Sequence, residues 1–568
     1  MSVYSSVNFK IISLLFFFIC KFVDGQSPKN QAVVEYSFKN NGKISQENSL
    51  QMIYNNGIVS YKIVGKISEE KESQFLDFNN RQTIQLLEID QNQKFVYKKS
   101  FDDYEQGTIT EETETILGYL CKKAIFKIKS NTIEVWFTDE TEIKGTPTIS
   151  VAPGMGLVLK TIRNNDYEIF AKSIDFRDLR EDEKKYNFQN ALDVDGKTYL
   201  RKLIDSRFQT IKIFEHEKIN FGDEVINPSQ DILNVTYRYS KGTVLLKKIK
   251  LPKINDGSTV IAEVSQWSNG DAYDRVGSLF IIPTETEISF LDALKNGIDK
   301  LPIYQDNLGE KFQGVIASEK YEPPLELMRF FTPFGVRQFN NYTQIEGYNW
   351  ADSVVYKKEV TELLHKNAEE IWVGIFIGNY DKGGHIASVK LNIYPSFESE
   401  KSESKYWVKS IFNTVNIMEM SDQNYGTMFH DDSLEVTVKI PDGLKNLKLI
   451  FTSTGHGGWG NGDEFNKKIN KIFINDDLKY NFIPWRDDCA TYRLSNPSSG
   501  NFRNGLSSSD LSRSNWCPGT VTIPEEIILD NLNLGERTFK IAIPIGEKEG
   551  GSFSSWNVSG TLIGQYKN

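Results

Sequence analysis

Short segments in which apolar and polar residues alternate constrain the fold of this chain more than any other feature. In the segment SLEVTVKIP, the alternating apolar residues are Leu434, Val436, Val438 and Ile440. These residues share one face of an extended strand, and the segment TFKIAIPI repeats the pattern near the end of the chain. Many such segments, separated by Gly, Asn and Pro, are typical of sandwiches and jelly rolls. We predict an all-β protein of antiparallel sheets.

The predicted strands group into three β units with two charged connections between them. We expect a small N-terminal β domain at residues 26–175, a first jelly roll at 208–397 and a second jelly roll at 406–568. Residues 176–207 are charged at helical spacing and predict a partly helical connector, and residues 398–405 (ESEKSESK) predict a linker. An amphipathic pattern predicts one inserted helix at residues 287–301. Two β units in tandem would create a cleft between them.

The charge of the chain limits its partners. The net charge is −10, and no dense cluster of Lys and Arg occurs in the sequence. Nucleic acids and anionic membranes require such a cluster for electrostatic attraction. We therefore expect neither partner, whereas a neutral ligand such as a sugar is compatible with the composition.

The first residues have the pattern of a secretory signal peptide. Lys10 precedes a ten-residue apolar run at residues 11–20, and small residues suitable for cleavage follow near Gly25. The run is too short to span a bilayer, which needs about 20 apolar residues. We expect residues 1–25 to be removed and the mature protein to be soluble and exported, in the extracellular space, the periplasm or a vesicle lumen.

Removal of the signal would leave three cysteines in an oxidising compartment, so one pair and one spare thiol are expected. Cys489 and Cys517 lie in one loop region rich in Gly and Ser. Closing a large loop of this kind stabilises a protein most. We predict that Cys489 and Cys517 form the disulfide and that Cys121 is buried and reduced.

The same loop region contains the motifs that are most informative about function. Residues 455–460 read GHGGWG, Glu464 precedes the strand KIFIND, and residues 513–519 read RSNWCPG. Together they resemble the C-terminal domain of the peptide:N-glycosidase F family, which has these motifs in this order. Residues 271–283 (DAYDRVGSLFIIP) and 329–336 (RFFTPFGV) resemble the first jelly roll of that family. The resemblance covers residues 208–565, and with its extra N-terminal domain the chain resembles the larger members of the family.

The resemblance implies an amidase that hydrolyses the bond between an asparagine side chain and a sugar. The intact N-glycan would leave, and Asn would become Asp, without a cofactor. The family's primary catalytic carboxylate matches Asp274 in the sequence Tyr-Asp-Arg, and its second matches Glu464. Amide hydrolysis needs a base that activates water and a group that manages the leaving amine. We expect Asp274 to be the base and Glu464 to orient the substrate or share the proton.

Three further residues are candidates for binding substrate, and two of them, Arg513 and Trp516, resemble family positions that hold sugars. Arg275 follows the expected base and could bind the sugar or lower the pKa of Asp274. Arg513 and Trp516 are expected to hold the first two sugars, with Arg as donor and Trp as a flat apolar face. Without the resemblance, an Asp-Arg pair is more often a surface ion pair, Glu464 a solvated acid, and Trp516 a packing residue beside the disulfide.

Two departures from the family pattern are visible. A third carboxylate that some members carry would fall within residues 372–376 (WVGIF), where no acid occurs. The family's disulfide beside the catalytic Asp is also missing, because residues 268–270 read SNG. We expect glycan preference to differ accordingly, and the loop that carries Asp274 must be held by other interactions.

Alternative functions follow from the same residues. His456 with Asp463 and Glu464, or His430 with its acidic neighbours, could suggest a metal site, but the histidine spacing fits no zinc motif and we expect none. The second hypothesis is a non-catalytic, secreted glycan-binding or adhesion protein with the same cleft. A copper oxygenase with tandem jelly rolls is a third, for which the His and Met ligands are missing. The expected partners are N-glycosylated proteins or peptides, and we expect a monomer.

Overall fold

The computed structural model describes most of the chain in two compact units that divide between residues 206 and 207. The expected signal peptide and most of the expected linker at 398–405 lie outside the described residues. The described residues are 30–45, 48–65, 71–90, 92–184, 188–222, 226–254, 257–364, 369–395, 405–430, 433–457, 462–499, 506–529, 532, 535–545 and 554–566. No helix within these ranges is long and apolar enough to cross a membrane.

The first unit is built on one large sheet. Its strands are β1 (Gln31–Asn40), β2 (Lys43–Ile44), β3 (Ser49–Asn55), β4 (Ile58–Val64), β5 (Glu72–Asp77), β6 (Gln82–Glu88), β7 (Lys94–Ser100), β8 (Thr108–Ile116), β9 (Tyr119–Ile128), β10 (Asn131–Thr138), β11 (Leu157–Arg163), β12 (Tyr167–Asp175) and β13 (Leu192–Asp193). The order is β13-β7-β6-β5-β4-β3-β1-β12-β11-β10-β9-β8, with β2 on β1. The pairs are antiparallel except β13 with β7. The turn at Asn164 and Asn165, which have positive φ, joins β11 to β12.

The expected connector at residues 176–207 differs from the structure. It contains helix α1 (Gly196–Arg207), as predicted, but it also contributes β13 to the sheet of the first unit. Tyr199 of α1 is buried against Leu87 and Phe95. The segment therefore packs with the first unit through Tyr199 and the partly buried Leu203 of α1.

The first jelly roll consists of two facing sheets. Its strands are β14 (Gln209–Ile219), β15 (Thr236–Tyr239), β16 (Val244–Lys250), β17 (Thr259–Ser268), β18 (Val276–Ile282), β19 (Ile303–Gln305), β20 (Lys311–Gln313), β21 (Leu325–Phe331), β22 (Val354–Glu359), β23 (Glu370–Ile377) and β24 (His385–Tyr394). The sheets run β14-β24-β17-β22 and β15-β16-β23-β18-β21, and β19 pairs with β20 separately. Alternate residues of β17 are buried, and they pack with the second sheet in one core. A helix lies in the predicted place as α2 (Phe290–Asn296), and α3 spans Thr361–Leu364.

The second jelly roll also has two sheets. Its strands are β25 (Tyr406–Asn413), β26 (Leu434–Ile440), β27 (Leu444–His456), β28 (Asn470–Ile474), β29 (Asp477–Phe482), β30 (Glu525–Ile528), β31 (Gly535–Ala542) and β32 (Ser555–Tyr566). They form the orders β25-β32-β27-β30 and β26-β31-β28-β29. The predicted face of β26 is confirmed, since its four apolar residues are buried and alternate with exposed ones. The all-β class with tandem jelly rolls is therefore confirmed.

A buried ion pair joins the two jelly rolls. Arg329 of β21 donates to both carboxylate oxygens of Glu326 at 2.7 and 3.1 Å. The same guanidinium donates across the interface to the hydroxyl of Thr454 at 3.2 Å and the carbonyl of Asn557 at 2.5 Å. Both charged side chains are almost fully buried. The interface thus depends on a cation whose partners come from both jelly rolls.

We predict that Arg329→Met destabilises the protein strongly. Removing Arg329 leaves the Glu326 charge buried without its paired cation, which costs about 3 to 5 kcal/mol in the free energy of unfolding. Urea denaturation at neutral pH measures the loss. Lys320→Ala removes an ion pair whose two side chains are 64% exposed and should cost less than about 1 kcal/mol. If both variants lost less than about 1 kcal/mol in the free energy of unfolding, the proposed role of Arg329 in the interface would be contradicted.

Candidate active site

Asp274 lies on the loop between β17 and β18, at one end of the first jelly roll. The hydroxyl of Thr332, which directly follows β21, holds this loop in place. It accepts a hydrogen bond from the backbone N–H of Arg275 at 2.7 Å and donates to the carbonyl of Tyr273 at 2.9 Å. The backbone on both sides of Asp274 is therefore held by one side chain, which limits where its carboxylate can point.

Glu464 lies between β27 and β28 of the second jelly roll. Its carbonyl accepts from the backbone N–H of Ser514 at 3.0 Å, and the Ser514 hydroxyl donates to the carbonyl of Asp463 at 2.6 Å. The buried Asp463 carboxylate accepts from the indole N–H of Trp556 at 2.8 Å. These bonds attach the Glu464 segment to the core of its jelly roll.

One guanidinium brings the two carboxylates together. Nε of Arg513 donates to Oε1 of Glu464 at 3.0 Å, and Nη2 of Arg513 lies 3.7 Å from Oδ2 of Asp274. The first contact is a charge-assisted hydrogen bond and the second is an ion pair without hydrogen-bond geometry. The Arg513 side chain is 1% exposed, whereas Asp274 and Glu464 are 18% and 20% exposed. The carboxylates therefore reach solvent while the cation that joins them does not.

The environment raises the pKa of both carboxyl groups above the ordinary values for Asp and Glu. Burial raises the pKa of Asp274 to about 6, although the charges of Arg513 and Arg275 oppose the shift. Burial and the nearby Asp274 charge raise the pKa of Glu464 to about 7, against the attraction of Arg513. Near neutral pH, this pair can therefore both accept and donate a proton.

Aromatic rings pack behind the carboxylates. Trp516 stacks on Phe331 with ring centroids 4.2 Å apart and an interplanar angle of 16°, and His456 lies against both rings. The indole N–H of Trp516 donates to the carbonyl of Gly455 at 3.0 Å. Burial lowers the pKa of His456 to about 3, which keeps the imidazole neutral. The layer is apolar and packs Phe331 of the first jelly roll against residues of the second.

Comparison with known proteins identifies the family. The family model described as peptide-N-glycosidase F, N terminal, matches residues 210–393, and the model for its C terminal matches residues 424–563. A third model, described as N-glycanase peptide, N-terminal domain, matches residues 34–201. The chain belongs to the peptide-N-glycosidase F family. The match of the third model adds the N-terminal domain expected of the larger members of this family.

Two solved structures of PNGF-II agree with the family assignment. The chain is 43% identical to PNGF-II in space group C2, with 95% of this chain and 99% of that chain covered and a TM-score of 0.80. For PNGF-II in space group P21, the identity is 42%, the coverage 95% and 100%, and the TM-score 0.84. PNGase F from Flavobacterium meningosepticum is 16% identical over 64% of this chain and 96% of that chain, with a TM-score of 0.43. No curated protein matches the chain significantly.

The residues expected from the family motifs lie close together, but two of them occupy other environments than expected. Trp516 is 3% exposed and is covered by Phe331, so it has no open ring face for a sugar. Arg513 is directed at the carboxylates and at the carbonyl of Leu511. Their predicted contact with sugars is not supported, because packing between the jelly rolls buries both side chains.

Arg275 remains accessible beside the carboxylates of this family member. Its guanidinium donates to Asp271 at 2.7 Å and lies between the rings of Tyr273 and Tyr380, 5.1 and 5.5 Å from their centroids. Both tyrosines are more than half exposed. This group of one cation and two rings is directed to solvent and could contact a sugar.

Sequence reasoning missed a third carboxylate near the site. Glu419, from the connection between β25 and β26, accepts hydrogen bonds from the hydroxyls of Tyr380 and Tyr425. Its carboxylate lies 3.1 Å from the position that a Cβ at Gly378 would take. The sequence lacked an acid at the family's position in β23, but an acid from the second jelly roll reaches the same neighbourhood. No local motif indicates this, since the contact spans two jelly rolls.

The predicted disulfide is confirmed. Cys489 and Cys517 are bonded, while Cys121 is a buried free thiol. Among the described residues, the acidic and cysteine atoms close enough to share an ion are those of Asp488 and this disulfide pair, whose sulfurs are already bonded. Nε2 of His456 lies within hydrogen-bond distance of Thr454. His430 is described, but its acidic neighbours at 431 and 432 are not.

We predict that Asp274→Asn stabilises the protein at pH 8. A carboxyl group whose pKa is raised by folding favours the folded state below about pH 4 and loses that contribution as the pH rises through 6. The neutral amide removes this penalty, so the free energy of unfolding should increase by about 1 to 3 kcal/mol at pH 8. Urea denaturation of both proteins at pH 4 and pH 8 measures the difference. A variant that is less stable than the wild type at pH 8 would contradict the electrostatics of the site.

Proposed function

We propose that the chain hydrolyses the glycosylasparagine side-chain amide of N-glycoproteins, releasing the intact glycan and converting Asn to Asp. The observation that carries the proposal is the pair of solvent-reaching carboxyl groups, Asp274 and Glu464, joined by the buried Arg513 in a chain of the peptide-N-glycosidase F family. A pair of acids with pKa values near neutral, one from each jelly roll, suits hydrolysis of an amide at neutral pH.

In the proposed reaction, the Asp274 carboxylate removes a proton from a water molecule as the water oxygen attacks the side-chain carbonyl carbon. The resulting tetrahedral intermediate collapses when the carbon–nitrogen bond breaks. The nitrogen leaves with the glycan as a glycosylamine and needs one proton, which the Asp274–Glu464 pair returns. The products are a glycosylamine and an aspartic acid side chain, which ionises to aspartate by releasing its remaining proton to the amine or to solvent. One water molecule is consumed and no net proton is stored on the enzyme.

Arg513 has an electrostatic role in this proposal. It is buried, so its charge partly offsets two nearby carboxylates that would otherwise repel each other in a poorly solvated site. Arg275, with the exposed Tyr273 and Tyr380, is the proposed contact for the sugar next to the amide. Trp516 would support Arg513, whose guanidinium carbon lies 5.0 Å from its ring centroid.

We also propose that the protein acts outside the cytoplasm as a monomer. The disulfide between Cys489 and Cys517 supports an oxidising compartment. N-glycosylated polypeptides are the proposed substrates, and the charge of −10 gives no reason to expect nucleic acid as a partner.

We predict that Asp274→Asn lowers kcat/KM on a defined N-glycopeptide by at least about 10³-fold, and that Glu464→Gln lowers it by about 10²-fold, since general acid–base groups contribute on this scale. Mass spectrometry of the peptide reads the Asn-to-Asp change. Asp306→Asn is the matched control, because this carboxylate is also buried but accepts from the backbone of its own hairpin. Full turnover in Asp274→Asn would defeat the assignment. Glycan binding without turnover by the wild type would favour the glycan-binding alternative.

We further predict a bell-shaped pH profile of kcat/KM. Protonation of the base should reduce activity below about pH 6, and deprotonation of Glu464 should reduce it above about pH 7. Glu464→Gln should then lose the alkaline limb and keep the acidic one. An alkaline limb that persists unchanged in this variant would exclude Glu464 as the protonated partner.

A further inference from the structure

The buried carboxylate of Asp271, at the start of the family-like segment 271–283, organises the loop that carries Asp274. Asp271 is 3% exposed. Its Oδ1 accepts from the backbone N–H of Tyr273 at 3.0 Å, and its Oδ2 accepts from Nε of Arg275 at 2.7 Å. One side chain thus fixes the residue before Asp274 through the backbone and the residue after it through the side chain.

The other side of Asp271 faces a buried histidine. Nε2 of His385, the first residue of β24, lies 3.7 Å from Oδ2 of Asp271, and Nδ1 of His385 lies 3.0 Å from the side-chain amide of Gln266 in β17. His385 and Gln266 are fully buried. Asp271 is therefore anchored to two central strands of the first jelly roll rather than to solvent.

The backbone around Asp271 is tied to the turn before β24. The N–H groups of Asn269 and Asp271 both donate to the carbonyl of Gly384, at 2.8 and 3.3 Å. The Asp381 carboxylate accepts from the N–H groups of Gly383 and Gly384 at 2.7 and 2.8 Å. These contacts occupy the place where the sequence lacks the family's disulfide.

We propose that Asp271 is a positioning residue for the amide hydrolysis. Its buried carboxylate holds the loop so that Asp274 and Arg275 keep their positions in the site. The inference rests on the proposed function. A displacement of about 1 Å at a reacting group can cost about 100-fold in rate, so a residue that fixes both neighbours of the base affects the chemical step.

Asp271 also acts on Asp274 through charge, which a purely structural residue would not do. The charges that face Asp274 are Arg513, Arg275, Glu464 and Asp271, and the Asp271 charge raises the pKa of Asp274. Arg275 and His385 face Asp271, and with them its own pKa is held at about 2, so it is charged at every pH at which the protein would work. Neutralising Asp271 removes one negative charge and leaves the Arg275 charge unpaired, and both changes lower the pKa of Asp274.

The test compares Asp271→Asn, Asp271→Glu and the wild type on a defined N-glycopeptide, with thermal unfolding recorded for each. For Asp271→Asn, we expect kcat to fall about 10- to 100-fold, with KM within about threefold. The acidic limb of its pH profile should move to lower pH. Asp271→Glu keeps the charge but displaces it by one methylene, so kcat should fall while the limb stays in place. Asp306→Asn, whose carboxylate accepts from the backbone of its own hairpin, should change neither quantity.

The proposal is overturned if Asp271→Asn keeps kcat within twofold of the wild type or leaves the acidic limb unmoved. If Asp271→Asn does not fold, Asp271→Glu decides: a loss of kcat supports the proposal, and kcat within twofold overturns it. Wild-type activity is measured first. A wild type without turnover contradicts the proposed amidase function, whereas an active wild type with an unaffected variant contradicts the positioning role alone.

Discussion

The contact of Arg513 with two carboxylates is the interaction on which the site depends. Asp274 and Glu464 are separated by nearly two hundred residues and belong to different jelly rolls, yet both lie against one buried guanidinium. Two carboxylates in a poorly solvated site repel each other, and a cation between them offsets that cost. The side chain that permits the pair is thus withdrawn from solvent, and only the acids are left to meet a ligand.

This contact requires that the jelly rolls dock in a fixed way. Backbone hydrogen bonds join β21 of the first jelly roll to the segment after Cys517 of the second. The N–H of Phe331 donates to the carbonyl of Thr520 at 2.9 Å, and the N–H of Gly519 donates to the carbonyl of Phe331 at 3.0 Å. The Arg329–Glu326 pair lies in the same interface. The disulfide holds the start of that segment. The interface between the jelly rolls and the disulfide therefore hold the segments that carry the site.

The sequence predicted what depends on local pattern. Alternation predicted the strands of both jelly rolls, as the buried face of β26 shows, and the motifs singled out Asp274 and Glu464, which lie on loops that meet at Arg513. Exposure was harder to predict: Trp516 was expected to be open to sugar but packs on Phe331, a partner 185 positions away in the chain. Glu419 and the Asp271–His385 contact were not predicted for the same reason, because both join segments distant in sequence.

The position of a bound substrate tests the proposed site most directly. A crystal structure of Asp274→Asn with a bound N-glycopeptide would locate the scissile amide. We expect its carbonyl carbon between residues 274 and 464, with the neighbouring sugar beside Arg275 and no sugar on the Trp516 ring. A glycan bound at a different surface, with residues 274 and 464 free of contact, would contradict the account.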